Sequence, residues 1–451
     1  MNDVNRSASR GWPSSVARLN VAVVGSGISG LAAAWLLSTR HRVTLFEADG
    51  RLGGHSHTVD ATGTPVDTGF IVYNEVTYPN LTALFAHLGV ATKASDMSFS
   101  VSLRDGRLEY AGAGWAALLA QKTNILRPRF WSMMRDLVRF YREAPRDLPQ
   151  LGALSLANYL ERGNYGAAFR EDHLYPMAAA IWSTPATEIA HYPAASFIRF
   201  CETHGLLKLT DRPVWRTVDG GSRRYVAELA EAVAEIRTDR PVRAIRRTAT
   251  GVDIADTSGA TRSFDHVVVA THADDALRLL ADPSREEQRL LSPFHYSDND
   301  AVLHSDADLM PQRRRVWSSW NYLTGAGSSP KPAITYWMNK LQDLDPTKPL
   351  FVTLNPHREP RPGAVFTHVG YRHPLFDGCA MQAQRELWSL QGVRNTWFCG
   401  AYFGAGFHED GLQAGLAVAE SLGDVRRPWI VADESGRIHR HAERSAVSVA
   451  A

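Results

Sequence analysis

Cysteine is scarce in this 451-residue chain, and its three cysteines, Cys201, Cys379 and Cys399, lie far apart without a C-x-x-C pair. This scarcity excludes a zinc ribbon or a disulfide scaffold and is typical of a reducing cytoplasm. Neither basic nor acidic residues are in large excess, because the formal net charge is only +2. We therefore expect a cytoplasmic protein with no metal site and no nucleic-acid partner.

Long apolar runs are absent too, since no stretch reaches the 18 apolar residues of a membrane-spanning helix. The chain shows no internal repeat and no low-complexity tract. Residues 1–19 are polar and lack the apolar centre of an export signal, so they are predicted to form a disordered leader. Residues 432–451 are similarly polar and are predicted to form a flexible tail.

The length of the chain predicts more than one hydrophobic core. Three blocks, 20–88, 219–280 and 395–431, carry patterns of a dinucleotide-binding domain, including a helical pattern over 223–236 and a strand at 265–270 with a fourfold apolar run. Such a strand suits a parallel sheet that is covered on both faces. Residues 89–218 and 281–394 predict a substrate domain with helices and an antiparallel sheet. The expected fold class is α/β, with a Rossmann-like domain and an interleaved α+β lobe.

The first block opens with an apolar strand, a glycine turn and an apolar helix, Val21-Ala-Val-Val-Gly25-Ser-Gly27-Ile-Ser-Gly30-Leu. In a Rossmann unit the three glycines permit the turn, the approach of a pyrophosphate and close packing of the helix. A second strand ends in Glu47, which suits a ribose diol and disfavours the 2′-phosphate of NADP. The predicted phosphate-binding residues are Gly25, Ser26, Gly27, Ile28, Ser29 and Gly30.

The continuation Glu47-Ala-Asp-Gly-Arg51-Leu-Gly53-Gly54-His55 resembles the flavin-containing amine oxidase superfamily, which includes phytoene desaturases and protoporphyrinogen oxidases. Asp67 with Gly69, the Gly220–Gly221 pair and the segment 398–412 resemble further motifs of that family. The resemblance implies FAD. It also implies cofactor contacts from Glu47, Ala48, Arg51, Gly53, Gly54, His55, Val242, Gly400, His408, Asp410, Gly411 and Leu412. His55 departs from the family pattern, which has arginine at this position.

Amine oxidases of this superfamily usually place a lysine near the flavin, and the matching position here is Asn299 or Asp300. The missing lysine weighs against a standard amine oxidase. Aromatic clusters at 175–182, 317–322 and 336–339 are expected either to line a substrate channel or to pack the core.

Several short segments, among them Trp182-Ser-Thr-Pro and Val302-Leu-His304, resemble a bacterial subgroup linked to methylated and furan fatty acids. The resemblance implies a desaturase that removes a proton and a hydride from a methylated fatty acyl chain in a phospholipid. Oxygen or an electron carrier would reoxidise the flavin. The alternatives are an amine or amino-acid oxidase and a non-catalytic flavoprotein that binds a membrane or a partner. Candidates for the base are His55, His57, Tyr73, Asp300 and Tyr402, each of which could instead pack or hold the cofactor.

Residues 127–142 combine helical apolar spacing with five arginines. Such a helix can lie in the headgroup layer of a membrane, which would place the protein on the cytoplasmic face. The alternative is an ordinary surface helix whose apolar face packs on its own lobe.

Overall fold

The computed structural model describes residues 18–440 except 113, 153, 183–185, 209–210 and 326–332. Most of the predicted leader, residues 441–451 of the predicted tail and residues 183–185 of the Trp182-Ser-Thr-Pro motif therefore lie outside the described residues.

The described residues form these strands, in chain order: β1 (Asn20–Val24), β2 (Arg42–Phe46), β3 (Thr58–Ala61), β4 (Thr64–Asp67), β5 (Tyr73–Asn74), β6 (Thr92–Ser95), β7 (Phe99–Leu103), β8 (Leu108–Ala111), β9 (Trp215–Val218), β10 (Glu235–Arg237), β11 (Val242–Arg247), β12 (Val252–Asp256), β13 (Thr261–Phe264), β14 (His266–Val269), β15 (His295–His304), β16 (Trp320–Leu323), β17 (Ala333–Trp337), β18 (Phe351–Leu354), β19 (Val365–Leu375) and β20 (Thr396–Phe398).

The α-helices of the described part are α1 (Ile28–Ser38), α2 (Pro79–Leu88), α3 (Trp115–Leu118), α4 (Pro128–Asp147), α5 (Leu156–Arg162), α6 (Ala167–Phe169), α7 (Tyr175–Trp182), α8 (Ala186–Ile189), α9 (Ala194–Thr203), α10 (Arg223–Glu231), α11 (Ala273–Leu279), α12 (Arg285–Leu291), α13 (Met338–Leu341), α14 (Gly378–Gln384) and α15 (His408–Gly423). None of these helices combines the length and the apolar character that crossing a membrane requires.

A five-stranded parallel sheet has the order β10-β2-β1-β14-β20, and its strands come from the three blocks with dinucleotide-binding patterns. Its central strands β1 and β14 are almost wholly apolar and buried, as expected for a sheet covered on both faces. The helical pattern predicted over 223–236 ends early. Helix α10 stops at Glu231, and Ile236 instead belongs to the edge strand β10, which pairs with β2.

The second lobe contains a seven-stranded sheet with the order β19-β15-β18-β17-β16-β7-β8. Most of its strand pairs are antiparallel, but β16 and β7 pair in parallel, so the sheet is mixed. Strands β7 and β8 come from the helix-rich stretch that precedes the second block. Both intervening stretches therefore build this one sheet, and a separate helical core with α4, α7 and α9 lies beside it.

The apolar face that the sequence spacing predicted for α4 packs against the helix's own lobe. Phe130, Met133, Leu137 and Phe140 are buried in the cores of the second lobe. This face is therefore not available to lipid, and the membrane hypothesis in that form is wrong. The reason is that the sheet and the neighbouring helices already cover it.

The start of the predicted flexible tail is packed. The Arg437 guanidinium forms an ion pair with Asp410, and its Nη1 donates a hydrogen bond of 2.7 Å to the carbonyl oxygen of Thr77. Ile438 is buried in the core of the dinucleotide lobe. Residues 432–440 are therefore ordered by contacts that their polar composition does not reveal.

Candidate cofactor and catalytic site

The glycine turn between β1 and α1 places three glycines in three different environments. A Cβ on Gly25 would lie 2.8 Å from the Ala270 carbonyl oxygen, and one on Gly30 would lie 1.9 Å from the Gly25 carbonyl oxygen. Gly27, by contrast, has no heavy atom within 4 Å of its Cβ position. Gly25 and Gly30 are required by packing, whereas the space over Gly27 is open.

This open space adjoins the N-terminus of α1. Gly27 is its N-cap, no side chain caps the helix, and its first turn carries no acidic residue. The amide groups of Ile28, Ser29 and Gly30 and the positive end of the helix dipole therefore suit a pyrophosphate. Arg51 adds a positive charge nearby, and its Nη1 donates a 2.9 Å hydrogen bond to the Gly54 carbonyl oxygen.

Glu47 lies at the end of β2, where a ribose would meet the sheet. Its Oε2 accepts a 2.9 Å hydrogen bond from the Ser26 amide and another from the Ser26 hydroxyl, and its Oε1 accepts one from the Asp49 amide. The backbone of Glu47 pairs with Arg237 and Arg240, which connects the first block to the second.

Val242 lies two residues after Arg240, whose amide pairs with the backbone of Glu47. It begins β11, and the pairing of β11 with β12 shifts register between Val242 and Ala244. Ala48 is exposed beside Glu47. The residues predicted to surround the adenine and ribose are thus brought together at one end of the β2 strand.

Helix α15 packs against α1 through two glycines. A Cβ on Gly411 would lie 2.8 Å from Ser29 Oγ, and a Cβ on Gly415 would lie 2.1 Å from the Ser29 carbonyl oxygen. Gly411 was predicted as a cofactor residue, whereas Gly415 was not singled out. Leu412 is fully buried between them. The small residues let the closing motif approach the phosphate-binding helix.

Asp67 connects the first block to the Gly220–Gly221 element. Its carboxylate accepts hydrogen bonds from the Ser222 amide at 2.9 and 3.1 Å, from the Ser222 hydroxyl at 2.7 Å and from the Thr58 hydroxyl at 2.6 Å. Burial raises the pKa of Asp67 to about 6 despite these bonds. Ser222 was not predicted, because its role depends on a contact 155 residues away.

His408 begins α15 and lies inside a chain of hydrogen bonds. The Tyr225 hydroxyl is 2.6 Å from His408 Nε2 and also contacts Ser56 Oγ, while the Phe70 ring stacks on the imidazole at 3.8 Å. Burial, aided by the proximity of His55, lowers the pKa of His408 to about 3. His408 is therefore a neutral residue that connects the Gly53–Gly54 loop to the closing motif.

Acidic side chains beside His408 hold the start of α15. Asp410 Oδ2 accepts a 2.7 Å hydrogen bond from the Phe407 amide, and its Oδ1 pairs with Arg437. Glu409, which the sequence did not single out, accepts hydrogen bonds from the amides of Asn80 and Leu81 and anchors α2. The predicted cofactor residue Asp410 thus uses its carboxylate within the protein and positions the helix N-terminus.

His55, His272 and His373 form an imidazole cluster next to the Gly53–Gly54 loop. The His55 ring centroid lies 6.2 Å from that of His272, 5.5 Å from that of His373 and 4.8 Å from that of Tyr371. Burial lowers the pKa of His55 and His272 to about 4 and that of His373 to about 3. All three imidazoles are therefore neutral at physiological pH. The sequence indicated only His55 of these three, because His272 follows β14 and His373 lies within β19, far apart along the chain.

His57 and Tyr371 extend the cluster. The Tyr371 hydroxyl lies 3.3 Å from His57 Nδ1 and 2.7 Å from Thr68 Oγ1. Burial, with a contribution from Arg51, lowers the pKa of His57 to about 4. A Cβ on Gly69 would lie 2.2 Å from the His55 carbonyl oxygen, so this glycine allows the loop to close on itself.

Strand β15 resolves the alternative between Asn299 and Asp300. Asn299 is buried, and its Nδ2 donates a 3.1 Å hydrogen bond to His373 Nδ1. Asp300 is half exposed on the opposite face of the strand and lies 3.5 Å from His368 Nδ1. Because neighbouring side chains of a strand point to opposite faces, only Asn299 reaches the cluster. The structure removes Asp300 from the candidate bases.

The two candidate tyrosines lie in different surroundings. Tyr73 packs edge-on against Tyr78 and Phe85 in the core of the dinucleotide lobe. Tyr402 is buried beside Phe294, and its hydroxyl has no hydrogen-bond partner among the residues that the structure describes. A Cβ on Gly400 would lie 2.4 Å from the Tyr402 ring. The structure therefore gives Tyr73 a packing role and leaves Tyr402 with an unused hydroxyl group.

Two features of the structure suit FAD. The space above Gly27 is open at a helix N-terminus that no side chain caps, and the carboxylate of Glu47 lies at the end of the neighbouring strand β2. The site and the fold define a two-lobed dinucleotide-binding oxidoreductase. The chain also matches the model of the flavin containing amine oxidoreductase family over residues 28–305, which is more than half of its length. The protein belongs to this family, and its cofactor is FAD.

Comparison with known proteins supports the same fold. The chain is 35% identical to polyamine oxidase 4 of Oryza sativa over 148 residues, which are 32% of this chain and 30% of that protein. It spans less than two thirds of the length of these curated relatives, which include protoporphyrinogen oxidase 2 of Arabidopsis thaliana. A redesigned putrescine oxidase has a TM-score of 0.66 at 16% identity, with 90% of this chain and 98% of that chain covered. A CLA-producing fatty acid isomerase from P. acnes has a TM-score of 0.62 at 15% identity, with the same shares covered.

Proposed function

We infer that the protein desaturates a methylated, unsaturated fatty acyl chain carried by a phospholipid, in the synthesis of branched or furan fatty acids. The observation that carries this proposal is the contact between Asn299 and His373. The inward position on β15, where amine oxidases are expected to have a lysine, is occupied by a neutral amide that orients a neutral imidazole. The cluster therefore presents uncharged proton acceptors rather than an ammonium group.

The reaction removes one allylic C–H as a proton and a neighbouring C–H as a hydride, and a new C=C bond forms. FAD, when bound, supplies the acceptor for the hydride. A neutral imidazole accepts the proton, which requires an unprotonated ring at the working pH. The lowered pKa values of His55, His272 and His373 meet that requirement. Oxygen or an electron carrier of the cell would be the final acceptor of the two electrons.

His55 is the strongest candidate for the base because it directly follows the Gly53–Gly54 loop and contacts the other rings of the cluster. His373 and Tyr371 hold its ring from one side, and Arg51 lies close enough to lower its pKa. Asn299 acts as a positioning residue through His373. The fatty acid isomerase with the same fold supports the proposal that such a scaffold accommodates an acyl chain.

An amine oxidase is the second candidate, because the family and the putrescine oxidase fold favour it. Anaerobic titration of the FAD-loaded protein separates the two. Phospholipids with methylated unsaturated chains should bleach the visible flavin band and yield a product lighter by two hydrogens with the absorbance of a conjugated diene. Putrescine and aromatic amines should leave the band unchanged.

Bleaching by amines alone would assign the protein to the amine oxidases. If dithionite reduces the flavin but every lipid and amine fails, the protein is a non-catalytic flavoprotein instead. Phospholipids with the same chain length and unsaturation but without the methyl branch serve as the matched control. Equal bleaching by both lipids would remove the methyl branch from the proposal.

A further inference from the structure

A basic pocket opens on the second lobe, at the N-terminus of α4. It has a volume of about 260 Å³ and is lined by four arginines, Arg104, Arg107, Arg127 and Arg129, together with Leu108, Phe130 and Asp172. None of these arginines belongs to the cofactor site. The pocket is formed by the β7–β8 turn, by the start of α4 and by Asp172, which follows α6.

The acidic groups at the pocket neutralise only part of its charge. Asp172 is buried and pairs with Arg104 at 3.3 Å and with Arg129 at 2.6 Å, while Glu171 pairs with Arg129 at 2.8 Å. Arg107 and Arg127 form no ion pair within the described part of the chain. Two of the four guanidinium groups that line the pocket thus lie outside the ion pairs of Asp172 and Glu171.

The backbone adds to this positive potential. Arg127 is the N-cap of α4, no side chain caps this 20-residue helix, and its first turn carries no acidic residue. The positive end of the helix dipole therefore lies beside the same arginines. Arg127 Nη1 donates a 2.6 Å hydrogen bond to the Arg107 carbonyl oxygen, which holds the Arg127 guanidinium against the β7–β8 turn.

An apolar rim borders the pocket and is formed by Ile125, Leu126 and Trp131. The Leu126 side chain is 83% exposed, and Ile125 and Trp131 are each nearly half exposed. The Trp131 indole nitrogen donates a 2.8 Å hydrogen bond to the Ile125 carbonyl oxygen, which fixes the ring over the turn. Exposed leucine and tryptophan beside arginines is the composition of a surface that enters the headgroup layer of a membrane.

The outer face of α4 continues this surface. Arg135, Val138, Arg142 and Arg146 are exposed at spacings of three and four residues after Trp131, so they lie along one side of the helix. This side is opposite the apolar face that is buried in the lobe. It carries no exposed acidic residue, so it is complementary to an anionic surface.

We propose that the basic pocket and its apolar rim bind the anionic headgroup of a phospholipid and dock the protein on a negatively charged membrane surface. The arginines hold the phosphate, and Leu126 and Trp131 enter the layer of acyl chains next to it. An exposed apolar rim would gain nothing from a free anion in water, which favours a lipid as the source of the phosphate. The proposal does not depend on the acyl substrate.

Sedimentation of the FAD-loaded full chain with vesicles tests this proposal. We expect binding to phosphatidylcholine vesicles that contain phosphatidylglycerol and little binding to pure phosphatidylcholine. The double variant Arg107→Gln/Arg127→Gln should weaken binding by roughly tenfold or more, since each basic side chain near an anionic surface contributes measurably to binding. Leu126→Ser should weaken binding at constant charge.

Matched controls lie elsewhere on the surface. Arg243→Gln/Arg246→Gln removes two exposed arginines from β11, and Ile430→Ser removes a side chain that is 92% exposed. Both should bind vesicles as the parent does. The proposal is overturned if the parent ignores phosphatidylglycerol or if the pocket variant binds unchanged. If the pocket variant binds less but Leu126→Ser binds as the parent does, the pocket holds a free anion and the proposed lipid docking is wrong. Flavin reduction by detergent-dispersed substrate remains intact if only the docking surface fails.

Discussion

Gly415 on α15 lies against Ser29 on α1, so close that a Cβ at Gly415 would be 2.1 Å from the Ser29 carbonyl oxygen. The contact joins the phosphate-binding helix to the closing motif of the third block. Because Ser29 belongs to the first turn of α1, any shift of α15 also moves the proposed pyrophosphate site.

Gly415→Ala should therefore destabilise the protein by about 1–3 kcal/mol through overpacking and should lower its affinity for FAD. Thermal unfolding and the ratio of bound flavin to protein measure the two effects. Gly370→Ala is the matched control, because no heavy atom lies within 4 Å of that Cβ position. If the two variants have the same melting temperature and flavin content, α1 and α15 can move apart without loss of stability.

Gly27→Val should give a folded but colourless protein. The backbone of Gly27 has φ −62° and ψ 174°, which any residue adopts, and its Cβ position faces open space. The valine side chain would occupy the position of the pyrophosphate without straining the fold. Circular dichroism and flavin absorbance check this expectation, and stoichiometric FAD in the variant would contradict it.

Gly30→Ala provides the contrasting case. Its Cβ would lie 1.9 Å from the Gly25 carbonyl oxygen, so the turn itself must move. We expect a lower melting temperature for this variant even when FAD is added in excess. A melting temperature equal to that of the parent would mean that α1 has room to shift from β1.

Glu47→Gln should weaken FAD binding by roughly tenfold to a hundredfold, because hydrogen bonds to a charged group contribute about 1.5–3 kcal/mol. The ribose would lose a charged acceptor, while the amide retains the shape of the side chain. Equilibrium dialysis with FAD gives the affinity. Exposed Glu286 is the control, and Glu286→Gln should bind FAD as the parent does.

The stability of the FAD-loaded protein should fall as the pH decreases from about 6.5 towards 4. His55, His272 and His373 have pKa values of about 4, 4 and 3 in the folded state, against 6.5 for an unperturbed histidine. Between these values the unfolded chain binds more protons than the folded chain, so acidification favours unfolding. His373→Gln should reduce the slope of the melting temperature against pH. An unchanged slope would exclude His373 as one of its sources.

Asn299→Leu should lower kcat/KM for the lipid substrate by roughly tenfold, since the lost hydrogen bond to His373 is worth about 1 kcal/mol or more. The acidic limb of the pH–rate profile should also shift, because the imidazole loses the partner that orients it. Asp300→Asn, on the outer face of β15, should keep both values. An effect of Asp300→Asn larger than that of Asn299→Leu would reverse the assignment of the two side chains.

Local patterns were sufficient to predict the parts of the site that depend on neighbouring residues. The strand, glycine turn and helix around Gly25, Gly27 and Gly30 follow from chain geometry over a few residues, and Glu47 follows from the end of the next strand. The same is true of the apolar strand β14, whose continuous burial is visible in its composition.

Contacts between distant segments decided the rest. The spacing in α4 indicated an apolar face but could not say whether protein or lipid covers it, because that depends on which elements fold against it. The choice of Asn299 over Asp300 required the pleat and the neighbouring strand of β15. His272 and His373 joined His55 only because the ends of β14 and β19 meet in space. A sequence specifies its local geometry through nearest neighbours, whereas a shared site arises from packing between elements far apart in the chain.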